Sequence, residues 1–231
     1  MTPAGLRPLL EGLATPSAME ALMIGRGASG TMRRASVLAL LWQDASCPTP
    51  ASSTESTSGL EPPGGLRVVL IEKSAHLRNH AGQVAFPGGR IEPGESPVQA
   101  ALREASEEVG IEASGVEVLG ELPPASVMAS GFDVHTIVAW WTRPVALRPV
   151  DVGEVAAVHQ VAVAGLLDPA NRATWVLGQT HSGPVFCVGD LFIWGLTGHL
   201  LSGLFELAGW TRPWDASRCL EIPPRFFRGR T

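Results

Sequence analysis

The stretch Pro87–Ile111, PGGRIEPGESPVQAALREASEEVGI, decides how the rest of the chain is read. Pro87, Gly88, Gly89, Pro93 and Gly94 crowd its start, break any regular period and predict a tight loop. Ser96 then stands as an N-cap, with Pro97 at the first helical position and Gln99 three residues past the cap. This is a capping box with proline where its missing N–H costs nothing. Gly110 suits the left-handed residue that ends a helix, so the spacing predicts a helix over 97–109. Val98, Ala101, Leu102, Ala105 and Val109 recur at helical spacing and form its core face. The alanines on that face allow close packing on the layer beneath.

The opposite face carries a cost. Glu104, Glu107 and Glu108 cluster on it, and Glu104 and Glu108 are like charges one turn apart, which costs about 0.2–0.5 kcal/mol. All three lie in the C-terminal half of the helix, where the macrodipole disfavours anions. Arg103, four residues before Glu107, offsets only part of this. A solvated acidic face leaves the cost unexplained, whereas a hard divalent cation such as Mg²⁺ removes it, taking a few carboxylates and completing its shell with water and substrate phosphates.

Gly89, Glu95, Arg103, Glu104, Glu107, Glu108, Gly110 and Ile111 fall in register on the pattern G-x5-E-x7-R-E-U-x-E-E-x-G-U, so the segment resembles the Nudix box. The soft departure is Ala105, where a bulkier aliphatic residue is usual. The resemblance implies an α/β/α sandwich with a mixed sheet and a C-terminal helix. It implies hydrolysis of a nucleoside diphosphate linked to another moiety, dependent on Mg²⁺ or Mn²⁺. It places Glu104, Glu107 and Glu108 on the metal with the Gly88 carbonyl, and pairs Arg103 with Glu95 to hold loop against helix. Glu154, ahead of a strand candidate, is the distal carboxylate that would serve as ligand or base.

Upstream, residues 69–89 read VLIEKSAHLRNHAGQVAFPGG and resemble the signature of the coenzyme A pyrophosphatase branch through Ser74, Arg78, Gly82, Phe86, Pro87, Gly88 and Gly89. Ile71 and Lys73 depart from it: a threonine and an arginine are usual there. The 131–134, 154–155 and 193–197 stretches also look like this branch. The resemblance implies coenzyme A or its derivatives as substrate, cleaved to 3′,5′-ADP and 4′-phosphopantetheine, with Lys73 and Arg78 on the phosphates. His76 and His80 read as loop histidines. Other nucleotide substrates, namely ADP-ribose, a dinucleoside polyphosphate or an oxidised nucleotide, and a non-catalytic nucleotide-binding role remain as alternatives.

Around this centre, 1–34 reads as a helical lead-in, with helices over 5–13 and 18–24. The apolar runs 35–42, 67–72, 116–122, 133–142 and 155–161 read as strands of a domain covering 35–210. Within it, 43–66 is poor in core-forming residues and reads as a disordered insertion. A helix is expected over 190–209, residues 211–231 form a C-terminal tail, and its stretch 221–231 is basic and shows no helical or strand period.

The 231 residues are 45% hydrophobic with a net charge of −5, which excludes a basic nucleic-acid binder. Cys47, Cys187 and Cys219 are scattered and suggest neither disulfides nor zinc. The apolar stretch 191–210 is interrupted by Gly195, Gly198, His199, Gly203 and Glu206, so it reads as a buried helix rather than a membrane span. No charged segment leads into an apolar signal-like run, and a cytoplasmic protein with a small nucleotide partner is expected.

Overall fold

The computed structural model describes residues 4–21, 32–46, 61–128, 130–178 and 181–227. Two short helices, α1 (Arg7–Leu13) and α2 (Pro16–Ala21), precede a seven-stranded mixed sheet. Its strands are β1 (Arg33–Gln43), β2 (Leu66–Lys73), β3 (Val84–Ala85), β4 (Gly88–Arg90), β5 (Val116–Val127), β6 (Phe132–Trp141) and β7 (Val155–Ala162). They run β3-β2-β1-β6-β5, with β4 added to β1 and β7 to β2. β1 and β6 are parallel from Arg33↔Phe132 to Leu41↔Trp140, and the other pairings are antiparallel.

Helix α3 (Pro97–Val109) covers one face of the sheet. Leu38, Leu40, Val69, Ile71, Ile137 and Ala139 point to it and meet Ala101, Ala105 and Val109. The alternate residues Ala39, Leu41, Val68, Leu70, Val138 and Trp140 face the other way. There they meet Leu9 of α1, Leu166 of α4 (Val163–Leu167), and Leu201, Leu204 and Phe205 of α5 (Gly195–Leu207). Strands covered on both faces have no polar side to present, which is why β1 and β2 read as unbroken apolar runs. The result is the α/β/α sandwich the sequence implied.

The structure corrects the expected last helix and adds four strands. The helix expected from residue 190 starts at Gly195, because Leu191–Ile193 forms β10 and pairs with Phe186–Val188. Residues 172–188, for which no strand was expected, form β8 (Arg172–Leu177) and β9 (His181–Val188). In the tail, β11 (Cys219–Glu221) pairs in parallel with β8 and completes a second sheet, β10-β9-β8-β11, its last residue being the first of the stretch read as having no strand period. Ile222 and Phe226 then close a separate cluster with Ala173, Trp175, Val185 and Phe192. Three-residue strands carry too little pattern to be seen before their partners are in place.

Where described, the ends of the 43–66 segment are tied down. Asp44 N donates to Gly65 O at 2.9 Å, Gln43 Nε2 to Gly64 O at 2.8 Å, and Arg212 meets Glu61 at 2.7 Å. Residues 47–60 of that segment, and 22–24 of the expected second lead-in helix, lie outside the described residues. Among the described residues no helix is long and apolar enough to cross a membrane.

Candidate active site

Helix α3 has the expected ends. Ser96 Oγ accepts from Gln99 N at 3.2 Å, Gln99 Oε1 accepts from Ser96 N at 2.9 Å, and Gly110 adopts φ +76°. The preceding loop is pinned by β4, whose Gly88 and Gly89 pair with Val37 and Ser36 of β1. Both glycines are required by space. A Cβ on Gly88 would fall 2.3 Å from the Ser36 carbonyl oxygen, and one on Gly89 would fall 2.5 Å from the Glu104 carboxylate. The Gly88 N–H donates to Glu108 Oε2 at 2.9 Å. The two-glycine strand therefore lies directly on the two inner carboxylates of the helix.

Arg103 uses all five of its N–H donors. Nε and Nη2 grip Glu95 at 2.9 and 3.1 Å, Nη1 reaches Glu104 at 3.0 Å and Glu107 at 3.1 Å, and Nη2 also bonds the Arg90 carbonyl at 3.0 Å. The Glu95 pairing that the resemblance implied is present as a two-pronged bond joining loop to helix. Hydrogen bonds from Arg103, joined by the Glu92 N–H, hold the Glu95 carboxyl below its usual range. The same bonds push the Arg103 guanidinium far up.

Glu104 and Glu108 are perturbed in the opposite sense. Burial raises Glu104 against the pull of Arg103. Burial also raises Glu108, opposed by Lys73 and the Gly88 N–H, while the Glu104 charge adds to the rise. Lys73, at the end of β2, places Nζ 2.6 Å from Glu108 Oε1 and 4.0 Å from Glu154 Oε2. Lys73 thus sits against a box carboxylate rather than apart from that cluster, and Glu154 stands more exposed at its mouth. Glu107, with 59% of its side chain exposed, lies on the outer side of Arg103. Arg78 is exposed and makes no ion pair among the described residues. His76 and His80 are exposed, and the His80 ring meets Gln83 at 3.0 Å instead of a carboxylate.

Among the described residues no three Asp, Glu, His or Cys side chains converge as a metal cluster. That does not conflict with a Mg²⁺-type ion, which is often held by one or two carboxylates together with substrate phosphates and water. Glu104 and Glu108 supply hard oxygen donors whose charge burial penalises, and they suit such an ion.

Beside Gly89, on the α5 side of the sheet, a cleft of about 230 Å³ is walled by Ala35, Gly89, Arg90, Phe132, Val134 and Leu196. A larger cleft of about 490 Å³, between β7 and the β9–β10 turn, contains none of these residues. The sequence reading missed Arg90, which lines the first cleft, and Arg33, whose guanidinium lies over the ring of the cleft's Phe132. They are far apart in the chain and meet Phe132 only through the β1–β4 and β1–β6 registers, Ala35↔Arg90 and Arg33↔Phe132.

The NUDIX domain family model matches residues 60–177. The chain is 37% identical over 149 residues to the uncharacterized Nudix hydrolase NudL of Escherichia coli (strain K12), covering 59% of this chain and 72% of that protein. NudL of Shigella boydii serotype 18 matches to the same extent. Among solved structures, the chain is similar to the Nudix hydrolase RenU of M. smegmatis, at 20% identity and a TM-score of 0.48, over 84% of this chain and 96% of that one. The family match spans the segment in which Gly89, Arg103 and the glutamates were found interlocked, and it covers half of the chain. The chain belongs to the Nudix hydrolase family and is a Nudix pyrophosphohydrolase.

Proposed function

We propose that the chain hydrolyses the pyrophosphate bond of coenzyme A or its derivatives to 3′,5′-ADP and 4′-phosphopantetheine. The family supports pyrophosphate hydrolysis of a nucleotide-linked substrate, generally with a divalent metal. One observation supports the narrower substrate. Lys73, in the segment that resembles the coenzyme A branch, lies 2.6 Å from Glu108 of the box. The candidate recognition segment and the candidate catalytic carboxylates thus share one contact.

Glu104 and Glu108 would hold Mg²⁺ or Mn²⁺, with the Gly88 carbonyl and Glu107 as further donors. A cation held there would supply positive charge to the phosphates and would make a nearby water more acidic. The chain supplies the rest. Arg103 fixes the Glu104 carboxylate through Nη1 while gripping the loop through Glu95. Lys73 adds a positive charge where the phosphates develop negative charge. Arg78, exposed on the turn after β2, has the reach to steer an anionic substrate inward. Glu154, exposed and 4.0 Å from Lys73, is placed to take the proton of the attacking water on its carboxylate.

The test is a panel assay of the purified chain on coenzyme A, dephospho-coenzyme A, ADP-ribose and a dinucleoside polyphosphate, with Mg²⁺ and with Mn²⁺. The expected result is preferred release of 3′,5′-ADP from coenzyme A. Brisk hydrolysis of ADP-ribose without cleavage of coenzyme A would discard the substrate reading.

A further inference from the structure

We infer that Arg33 and Arg90 form an anion subsite over Phe132 that reads a phosphomonoester lying outside the scissile pyrophosphate, as on the ribose of a 3′-phosphorylated nucleotide. This rests on the coenzyme A reading and assigns its 3′-phosphate to particular side chains.

The geometry starts at Gly89. Its backbone is shared: the Glu104 carboxylate lies against it, and the 230 Å³ cleft uses it as a wall. The cleft and the two carboxylates thus lie on opposite sides of one short strand, β4, so a group carried by a pyrophosphate at Glu104 and Glu108 is one strand's thickness from the cleft. Ala35, Val127, Val134 and Leu196 make the cleft walls apolar, which favours a flat, weakly polar group such as a nucleobase. The rim is different. The Arg33 guanidinium lies 4.2 Å from the centroid of the Phe132 ring, and that of Arg90 lies 5.8 Å from the same ring.

Two guanidiniums gathered at one ring put two positive charges on one rim, where an anion could meet both. Neither has a carboxylate partner among the described residues. On β5 and β6, Asp133 bonds Ser126 at 2.7 Å and Glu121 meets His135 at 2.5 Å. Both arginines are also pre-positioned. Arg33 Nη2 donates to the Ser130 carbonyl at 2.8 Å, which leaves its other donors free. Arg90 is held through its backbone, its carbonyl accepting from Arg103 Nη2 at 3.0 Å, while its side chain extends toward Phe132. The planar guanidinium fork matches phosphate oxygens. Arg34, next in sequence, is turned to His135 at 3.5 Å and takes no part.

The test compares two ligands that differ only in the outer phosphate, 3′,5′-ADP and 5′-AMP. Their affinities are measured by calorimetry on the wild-type chain, Arg33→Gln, Arg90→Gln, the double variant and Arg78→Ala, alongside kcat/KM for coenzyme A and dephospho-coenzyme A. The expected result is that wild type prefers 3′,5′-ADP by about tenfold or more, as befits charge-assisted hydrogen bonds. The double variant should lose most of that preference while 5′-AMP affinity stays within about twofold, and Arg78→Ala should retain the preference. Equal loss on both ligands, or a preference that survives in the double variant, overturns the subsite. If that happens while wild type still cleaves coenzyme A, the functional reading stands without it. Wild type that cleaves ADP-ribose but not coenzyme A, and binds both probes alike, overturns both.

Discussion

Replacing Lys73 with methionine isolates the central electrostatic contact of this protein. The pair it breaks is well buried, with 16% of the Lys73 side chain and 3% of the Glu108 side chain exposed. The substitution leaves Glu108 with the Gly88 N–H as its remaining donor. Orphaning one member of a buried pair costs about 3–5 kcal/mol. For a chain of this size a loss near 3 kcal/mol lowers Tm by roughly 6–12 °C.

The loss should depend on pH, with a defined sign. Glu108 titrates above its ordinary value in the folded chain because burial disfavours its charge, and Lys73 is the chief force holding it down. A carboxylate raised on folding binds its proton more tightly in the native state, so stability falls as pH rises from the ordinary value through the folded one. Removing Lys73 raises the folded value further. Lys73→Met should therefore be destabilised less at pH 5 than at pH 8. The assay is urea unfolding at both pH values, without added metal, on Lys73→Met, Glu108→Gln and the double variant. The double variant should recover most of the loss, because no charge is left orphaned. A loss independent of pH, or one that Glu108→Gln fails to rescue, would refute this reasoning.

Glu104→Gln should lose most turnover yet match or slightly exceed the wild-type Tm without metal, because it removes a charge that burial penalises, whereas Glu108→Gln should lose most turnover and some stability as well, because it leaves Lys73 without its buried partner; near-wild-type turnover in either would remove that residue from the catalytic set. Gly89→Ala should cut kcat sharply with a stability loss of about 1–3 kcal/mol, since the new methyl falls 2.5 Å from the Glu104 carboxylate, and paired kinetics and melting curves would show it. Truncation after Trp210 should cost about 3–6 kcal/mol through loss of Ile222 and Phe226 from their cluster, and an unchanged urea midpoint would mean that the second sheet does not need the tail.

The sequence by itself determined helix α3, from Ser96 to Gly110, because caps, proline placement and the alanine face are local devices that need no distant partner. It also set Glu104 and Glu108 one turn apart, since helical spacing fixes neighbours, while Glu107 stands on the outer side of Arg103, and it marked the central strands, because burial on both faces leaves continuous apolar runs. The tertiary structure decided the rest. β10 and β11 are three residues each and exist through pairing with β9 and β8. Lys73 meets Glu108 across 35 positions because β2 delivers its last residue to the inner edge of α3. Arg33, Arg90 and Phe132 are brought onto one rim by strand register alone. Spacing along one helix can be read from a few residues, whereas contacts between strands depend on a register that only the closed sheet fixes.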